Sequence, residues 1–212
     1  QDEQAAYMPQ MLAVAMAAGA QRIAVYKMQD VPGDQAANPE PFGLLREDGS
    51  RRPAINSYQV AIRYQAGVQG ARRERWDHVG QVRLDQGTYT THVLFSRLPA
   101  PQEAQVEATS NTAVLVDMWG SRRSITAQDG FFTVDLPGAI CVQTAGDYCM
   151  IGGSVYYLVQ NKEGGAAPAA PGGVSAPPPS SAPTAVTGTP DPNAPTAEAD
   201  ETAEPNIDSS ST

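Results

Sequence analysis

RIAVYKMQD, residues 22–30, decides how the rest of the chain is read. Ile23, Val25 and their aromatic neighbour Tyr26 describe one short buried strand over residues 22–28. An Ala/Met-rich helical stretch precedes it. GLLREDGSRRPAINSYQVAIRY, residues 43–64, follows and runs into a second helix. Helix, strand, long loop and helix make the closing one and a half units of something built from repeated βα units. A single strand between two helices cannot satisfy its own ladder groups. The expectation is therefore the tail end of a larger protein.

Working outward, Tyr7, Met8, Met11, Leu12, Val14, Ala15 and Met16 give a helix over 4–19 that is apolar nearly all round. Such a helix lies under other structure. Pro9 is placed in its first turns, where a missing N–H is tolerated, and Gly19 ends it. After the strand, QDVPGDQAANPEPF (29–42) holds three prolines and three acidic residues, which makes a long loop. Loops at the carboxyl end of a strand are where α/β proteins place their chemistry. GLLREDG (43–49) is a short extended excursion closed by an Asp48–Gly49 turn. Pro53 then opens a helix over 53–66, with Ile55, Tyr58 and Ile62 at helical spacing.

From Trp76 the period changes to two. Strands are expected near 76–85, 89–96, 104–108, 113–118, 124–127, 131–136, 140–143 and 154–160, punctuated by Gly, Pro, Asn and Asp. Short strands at this spacing indicate an antiparallel sandwich or barrel. Asp129–Gly130 and the Asp117-x-x-Gly120 motif read as turn chemistry. The run Arg72, Arg73, Arg75 reads as a solvated linker ahead of the sandwich. Residues 163–212 are Ala, Pro, Ser, Thr and Gly without an aromatic. Such a segment cannot bury enough apolar area to offset roughly 1–2 kcal/mol of backbone entropy per residue, so a disordered tail is expected there.

The 212 residues carry a net charge of −9, unevenly placed. The tail holds seven acidic residues and no Lys or Arg, whereas the other 162 residues carry 16 acidic and 14 basic side chains. No concentrated basic face results, so a nucleic-acid partner is not expected. No apolar run approaches the roughly 20 residues that span a bilayer. The opening QDEQAAYMPQ shows neither an initiator Met nor a charged leader, a hint of truncation. Cys141 and Cys149 are the only cysteines and straddle a Thr-Ala-Gly-Asp turn, so a hairpin-closing disulfide is expected. Together with the Pro/Thr/Ser tail, that argues for a secreted or cell-surface protein.

Three segments point to one family: the Ala-rich helix with AGAQRIAVYKMQD, then FGLLREDGSRRPAINSYQVA, then VLFSRL…AVLVDMWGSRRSITAQDGFFTVDLPGA…CMIGGSVYYLVQ. Together they resemble the C-terminal end of clan A glycoside hydrolases, nearest the β-xylosidase and α-iduronidase-like branch. The resemblance covers roughly residues 4–159. It implies a partial α/β region, the last βα unit of a TIM-type (β/α)8 barrel, in residues 1–70. An all-β antiparallel sandwich would follow in 71–162 and the tail in 163–212. Residues 4–19 would be the seventh barrel helix, 22–28 the eighth strand and 53–66 the eighth helix. The family cleaves O-glycosyl bonds with two carboxylates, an acid/base and a nucleophile. Both come from the fourth and seventh strands, upstream of Gln1. A retaining glycosidase is the implied parent, and this chain alone is expected to be inactive. Its expected partner is a carbohydrate or glycoside bound through that parent. A non-catalytic module that binds carbohydrate or scaffolds a surface is the alternative.

No catalytic residue is therefore assigned. Gln29 and Asp30, at the end of the expected eighth strand, are candidate substrate-binding residues, and Asp30 also suits a loop cap. Glu40, in Asn38-Pro39-Glu40-Pro41, superficially resembles an acid/base motif, but the order and the strand are wrong. Trp76 and Trp119 are either sugar-stacking platforms or sandwich core. His78 and His92 stand apart without a Cys/His set to join them, so neither a metal nor a cofactor is expected.

Overall fold

The computed structural model describes residues 2–34 and 41–162. The expected tail and residues 35–40 of the loop, which hold Asn38, Pro39 and Glu40, lie outside the described residues. In chain order the elements are α1 (Asp2–Ala17), α2 (Pro53–Gln65), β1 (Gly70–Trp76), β2 (Val79–Asp85), β3 (Tyr89–Ser96), β4 (Gln102–Glu107), β5 (Thr112–Asp117), β6 (Arg122–Thr126), β7 (Phe131–Leu136), β8 (Thr144–Ala145), β9 (Tyr148–Cys149) and β10 (Tyr156–Asn161).

Six strands form one antiparallel sheet in the order β1-β2-β3-β10-β5-β6, while β4 pairs with β7 and β8 with β9. Side-chain alternation divides the large sheet between two cores. Val79, Leu94, Ala113, Leu115 and Leu158 face Ala104, Val106, Phe132, Val134 and Leu136 of the β4–β7 pair. Val82, Leu84, Val93, Phe95, Val116, Tyr157 and Val159 point the other way, into a core that also contains Ala5, Met8 and Ala13 of α1 and Ile55, Ala61 and Tyr64 of α2. Each fully buried Leu or Phe contributes about 1.5–3 kcal/mol. Pro53 occupies the first turn of α2, as its fixed φ favours.

Pro9 sits in the middle of α1 and not in its first turns. A proline there withholds the N–H that the carbonyl four residues earlier would accept. That carbonyl belongs to Ala5, and the Ser57 hydroxyl of α2 donates to it at 2.6 Å. Gln65 donates to the Pro9 carbonyl at 3.0 Å. The helix pair is thus locked at the point where α1 loses its own bond. Gln10 completes the docking of α1: its amide donates to Gly153 O and accepts from Gly152 N–H, each at 2.9 Å.

Three sequence expectations change. Residues 22–28 form no strand, with bends at Tyr26 and Met28. Their exposure alternates, with Ile23 and Val25 half-buried and Tyr26 84% exposed. Among the described residues, no backbone hydrogen bond is made by 22–26, and only a single parallel bridge, Gln29 to Leu45, forms beyond. The β pattern is present and its neighbours are not. Second, the arginine run is β1, paired with β2 from Gly70–Asp85 to Trp76–Gly80. An edge strand needs one paired edge only, so charges on both faces are no obstacle. Third, residues 140–143 are a loop, and the expected strand gives way to the two-residue hairpin β8–β9. Tight turns fall where expected: Asp129 and Gly130 both take positive φ, at 50° and 82°. That combination suits a two-residue hairpin turn.

Candidate functional site

Asp30 ends the segment that follows α1 and is 4% exposed. Its Oδ1 accepts from Gly43 N–H at 2.8 Å, and Arg52 Nη1 donates to its Oδ2 at 2.5 Å and to Gly43 O at 2.7 Å. Backbone bonds from Leu45 N–H to Met28 O and from Arg52 N–H to Leu44 O run alongside. Only glycine fits at 43, because a Cβ there would lie 2.5 Å from Asp30 Oδ1 and 2.6 Å from Leu45 O. Asp30 is therefore a latch that ties the segment to the entry of α2. Gln29 beside it is exposed and donates to Glu47 O at 3.1 Å. Lys27 pairs with Asp34, which also accepts from Val31 N–H and fixes the start of the loop. Tyr26, Met28, Val31 and Phe42 leave an exposed apolar strip around this latch.

A second cluster occupies the β4–β7 side of the large sheet. The register between β1 and β2 slips between Arg73 and Arg75, leaving Glu74 as the extra residue of a bulge. Bulges re-aim side chains. Glu74 Oε2 lies 3.2 Å from His92 Nδ1 and accepts from Gln81 at 2.7 Å, while Arg72 donates to Oε1 at 2.8 Å. Burial alone would push the Glu74 carboxyl up. The hydrogen bonds from His92, Arg72 and Gln81 and the imidazolium charge outweigh burial and bring it down to about 2. Its contribution is complete above the ordinary value of 4.5 and is lost as pH falls toward about 2. Glu74→Gln is expected to cost about 2 kcal/mol at pH 7, part of the linkage being screened at the strand edge. At pH 2 it should cost nothing. Urea unfolding of both proteins across this range checks it.

The two tryptophans differ. Trp76 faces Gly80 across β1 and β2, and Gly80 faces Phe95 on β3. Without a Cβ at 80, the Phe95 ring lies over the backbone and meets Trp76 edge-on at 5.9 Å. Arg97 stands 4.4 Å from the Trp76 ring centre and Arg73 5.2 Å. Arg97 also stands 4.1 Å from the ring of Tyr148 and donates to the carbonyls of Trp76 and Asp77. Guanidinium groups thus occupy space over Trp76 that a sugar ring would need. Trp119, 45% exposed, sits on a turn held by Asp117 Oδ1, which accepts from the N–H groups of Trp119 and Ser121 at 2.9 Å.

The Cys141–Cys149 disulfide forms, with Cα atoms 4.8 Å apart, and encloses the β8–β9 hairpin. Cys149 N–H donates to Arg97 O, so the bridge anchors Tyr148 beside Arg97. Replacing both cysteines with serine should cost about 2–3 kcal/mol in the chain-entropy model, read as a lower urea midpoint with an unchanged slope.

Sequence reasoning placed Asp30 at the end of the segment but missed Arg52, Glu74, Arg97 and Gln160. His92 is buried. The structure does not bring Asp30, Trp76 and Trp119 into one described site.

Among solved structures, the chain resembles a family 39 glycoside hydrolase from the gut symbiont Bacteroides cellulosilyticus WH2. The TM-score is 0.50 at 17% identity, covering 74% of this chain and 30% of that one. It also resembles a glycoside hydrolase family 30 subfamily 8 xylanase from Clostridium acetobutylicum, with TM-score 0.50 at 13% identity, covering 76% and 39%. The likeness is one of fold. The chain spans roughly a third of the length of either structure. No protein-family model and no curated protein matches it. Among the described residues, no helix is long and apolar enough to cross a membrane.

Proposed function

We propose that this chain is the C-terminal portion of a secreted glycoside hydrolase-like protein, in which residues 1–70 close a (β/α)8 barrel and 71–162 form its accessory sandwich. The catalytic carboxylates would lie in the upstream barrel, and this chain alone would not hydrolyse glycosides. One observation carries the reading: residues 22–26 alternate in exposure and have no backbone hydrogen-bond partner among the described residues, while Tyr26, Met28, Val31 and Phe42 are exposed. That is what a central barrel strand looks like without its two neighbours. Fold likeness over three quarters of this chain to a third of two glycoside hydrolases supports it. On this reading Asp30 and Gln29 stand at the substrate face of the barrel, where Asp30 positions the loop. The test is the intact mass and N-terminal sequence of the polypeptide in its source. A mass well above 22.4 kDa, with upstream barrel strands carrying two carboxylates, is expected. A native chain starting at Gln1 would overturn the proposal.

The second reading, a non-catalytic carbohydrate-binding module, is favoured by Trp119, an exposed aromatic on a fixed turn. If it holds, Trp119→Ala should weaken retention on soluble polysaccharide in affinity electrophoresis about two- to tenfold, an aromatic face contributing about 0.5–1.5 kcal/mol. Trp76→Ala should have little effect on retention.

A further inference from the structure

Gln160 on β10 is 1% exposed, and its orientation is fixed by three hydrogen bonds. Its Oε1 accepts from Thr109 N–H at 2.8 Å and from the Thr109 hydroxyl at 3.0 Å, and its Nε2 donates to Glu107 O at 3.0 Å. Flipping the amide would break all three. The same Nε2 faces His92 Nε2 at 3.5 Å. An amide NH2 is a donor only, so His92 Nε2 must be the acceptor. The proton of the neutral ring is then on Nδ1, facing Glu74 Oε2 at 3.2 Å; Gln81 Nε2 lies 3.4 Å from the same nitrogen and donates to Glu74 Oε2 at 2.7 Å. Imidazolium carries a proton on both nitrogens, and its Nε2–H would point into the Gln160 NH2. Two donors cannot share that contact.

We propose that this chain carries a proton-operated latch, in which protonation of His92 turns the Gln160 amide and releases Thr109, freeing the β4–β5 turn that joins the two sheets of the sandwich. The turned amide would offer Oε1 to the ring and lose Thr109 and Glu107 together. The turn would keep its flanking backbone bonds, Ala108 N–H to Gly130 O and Ala127 N–H to Asn111 O, and the bond from the Ser110 hydroxyl to Thr112 O. Acid would therefore loosen the edge of the β4–β7 pair without unfolding the large sheet.

The surrounding charges set the direction. Glu74, from β1, stays ionised throughout the imidazole range because its carboxyl is held at about 2, and it stabilises the imidazolium. Arg72 neutralises the other side of that carboxylate. Arg83 on β2 is the register partner of His92. The Asp85–Lys162 pair closes the same end of the sheet and is internally compensated. Glu107 of β4 reaches the site through its carbonyl and keeps its carboxylate in water. β7 turns Phe132 and Val134 inward and adds no charge. Of the two amides beside the ring, Gln81 meets Nδ1 and Gln160 meets Nε2, the nitrogen that takes the second proton, so the latch is placed at Gln160.

The experiment is nitrogen-15 NMR on the whole chain between pH 8 and pH 5, the span in which histidines ordinarily change charge. At pH 8 His92 should be the Nδ1–H tautomer. On acidification the Thr109 amide should lose at least tenfold of its protection, corrected for intrinsic exchange, in step with a single proton taken up by His92. His78→Asn, which alters the other, exposed histidine, should leave this unchanged. His92→Gln should abolish the pH dependence. Gln160→Glu, which offers the ring an acceptor without a flip, should also abolish it and serves if His92→Gln does not fold. An Nε2–H tautomer, Thr109 protection that is equal at pH 8 and pH 5, or an acid response that survives either variant would overturn the proposal.

Discussion

Asp30→Ala is expected to cost the described fold about 3–5 kcal/mol, the range for removing one partner of a buried ion pair. The Asp30 side chain is 3% exposed and that of Arg52 11%, so water does not replace what the substitution removes. Arg52 would keep only the carbonyls of Gly43 and Leu45, and the Gly43 N–H would lose its acceptor. Arg52→Ala strands the carboxylate instead and should cost a similar amount. The double variant should cost much less than the sum of the singles, because most of each single effect is the unpaired charge left behind. Gly43→Ala reaches the same latch without touching a charge: its Cβ would press on Asp30 Oδ1 and on backbone at Asp30 and Leu45. Urea unfolding gives the global figure. Exchange of the Leu44 and Leu45 amides, which bond to Lys27 O and Met28 O, shows whether the loss is local to the segment. A cost below about 1 kcal/mol would place the pair among screened surface bridges.

The latch also marks where sequence reading stops. The run from Val79 to Ser96 was legible because its two strands pair across a short local turn, and the run from Phe131 to Leu136 because it buries alternate residues. Asp129–Gly130 and Asp48–Gly49 were legible because turn chemistry is local. Arg22–Met28 was misread as a strand although its alternation is real, since a strand is defined by its neighbours. The Asp30–Arg52 pair spans 22 residues and crosses an irregular loop, so nothing local announces it. β1 was hidden by its own charges. Its Glu74, which meets His92, Gln81 and Arg72, is aimed by a bulge that shows only when the register against β2 is known. The Ser57 hydroxyl under the free carbonyl of Ala5 is the same kind of fact. Pro9 states the problem locally, and its solution comes from another helix.

Phe132→Ala is the other large effect, expected at about 3–5 kcal/mol. Phe132 is fully buried and meets Val79, Leu94, Leu115 and Leu158 of the large sheet within one cluster. Its strand belongs to a pair, β4–β7, that no further strand extends among the described residues. A two-stranded pair is not stable alone in water, so it holds its place by what it buries. Its inward side chains, Ala104, Val106, Phe132, Val134 and Leu136, include one aromatic. Removing that ring takes away transfer free energy and leaves a cavity that small neighbours cannot fill. For a body of this size the loss corresponds to a fall in Tm of roughly 10 °C or more. The form of the transition matters more than its midpoint. If the β4–β7 pair and the helix-covered face share one cooperative unit through the large sheet, unfolding stays a single step and the slope against urea is unchanged. If the pair opens first, the slope falls and the Ala104 and Val106 amides exchange before those of Val93 and Tyr157. The second result would make the small sheet the element that yields, the same element that release of Thr109 would loosen in acid.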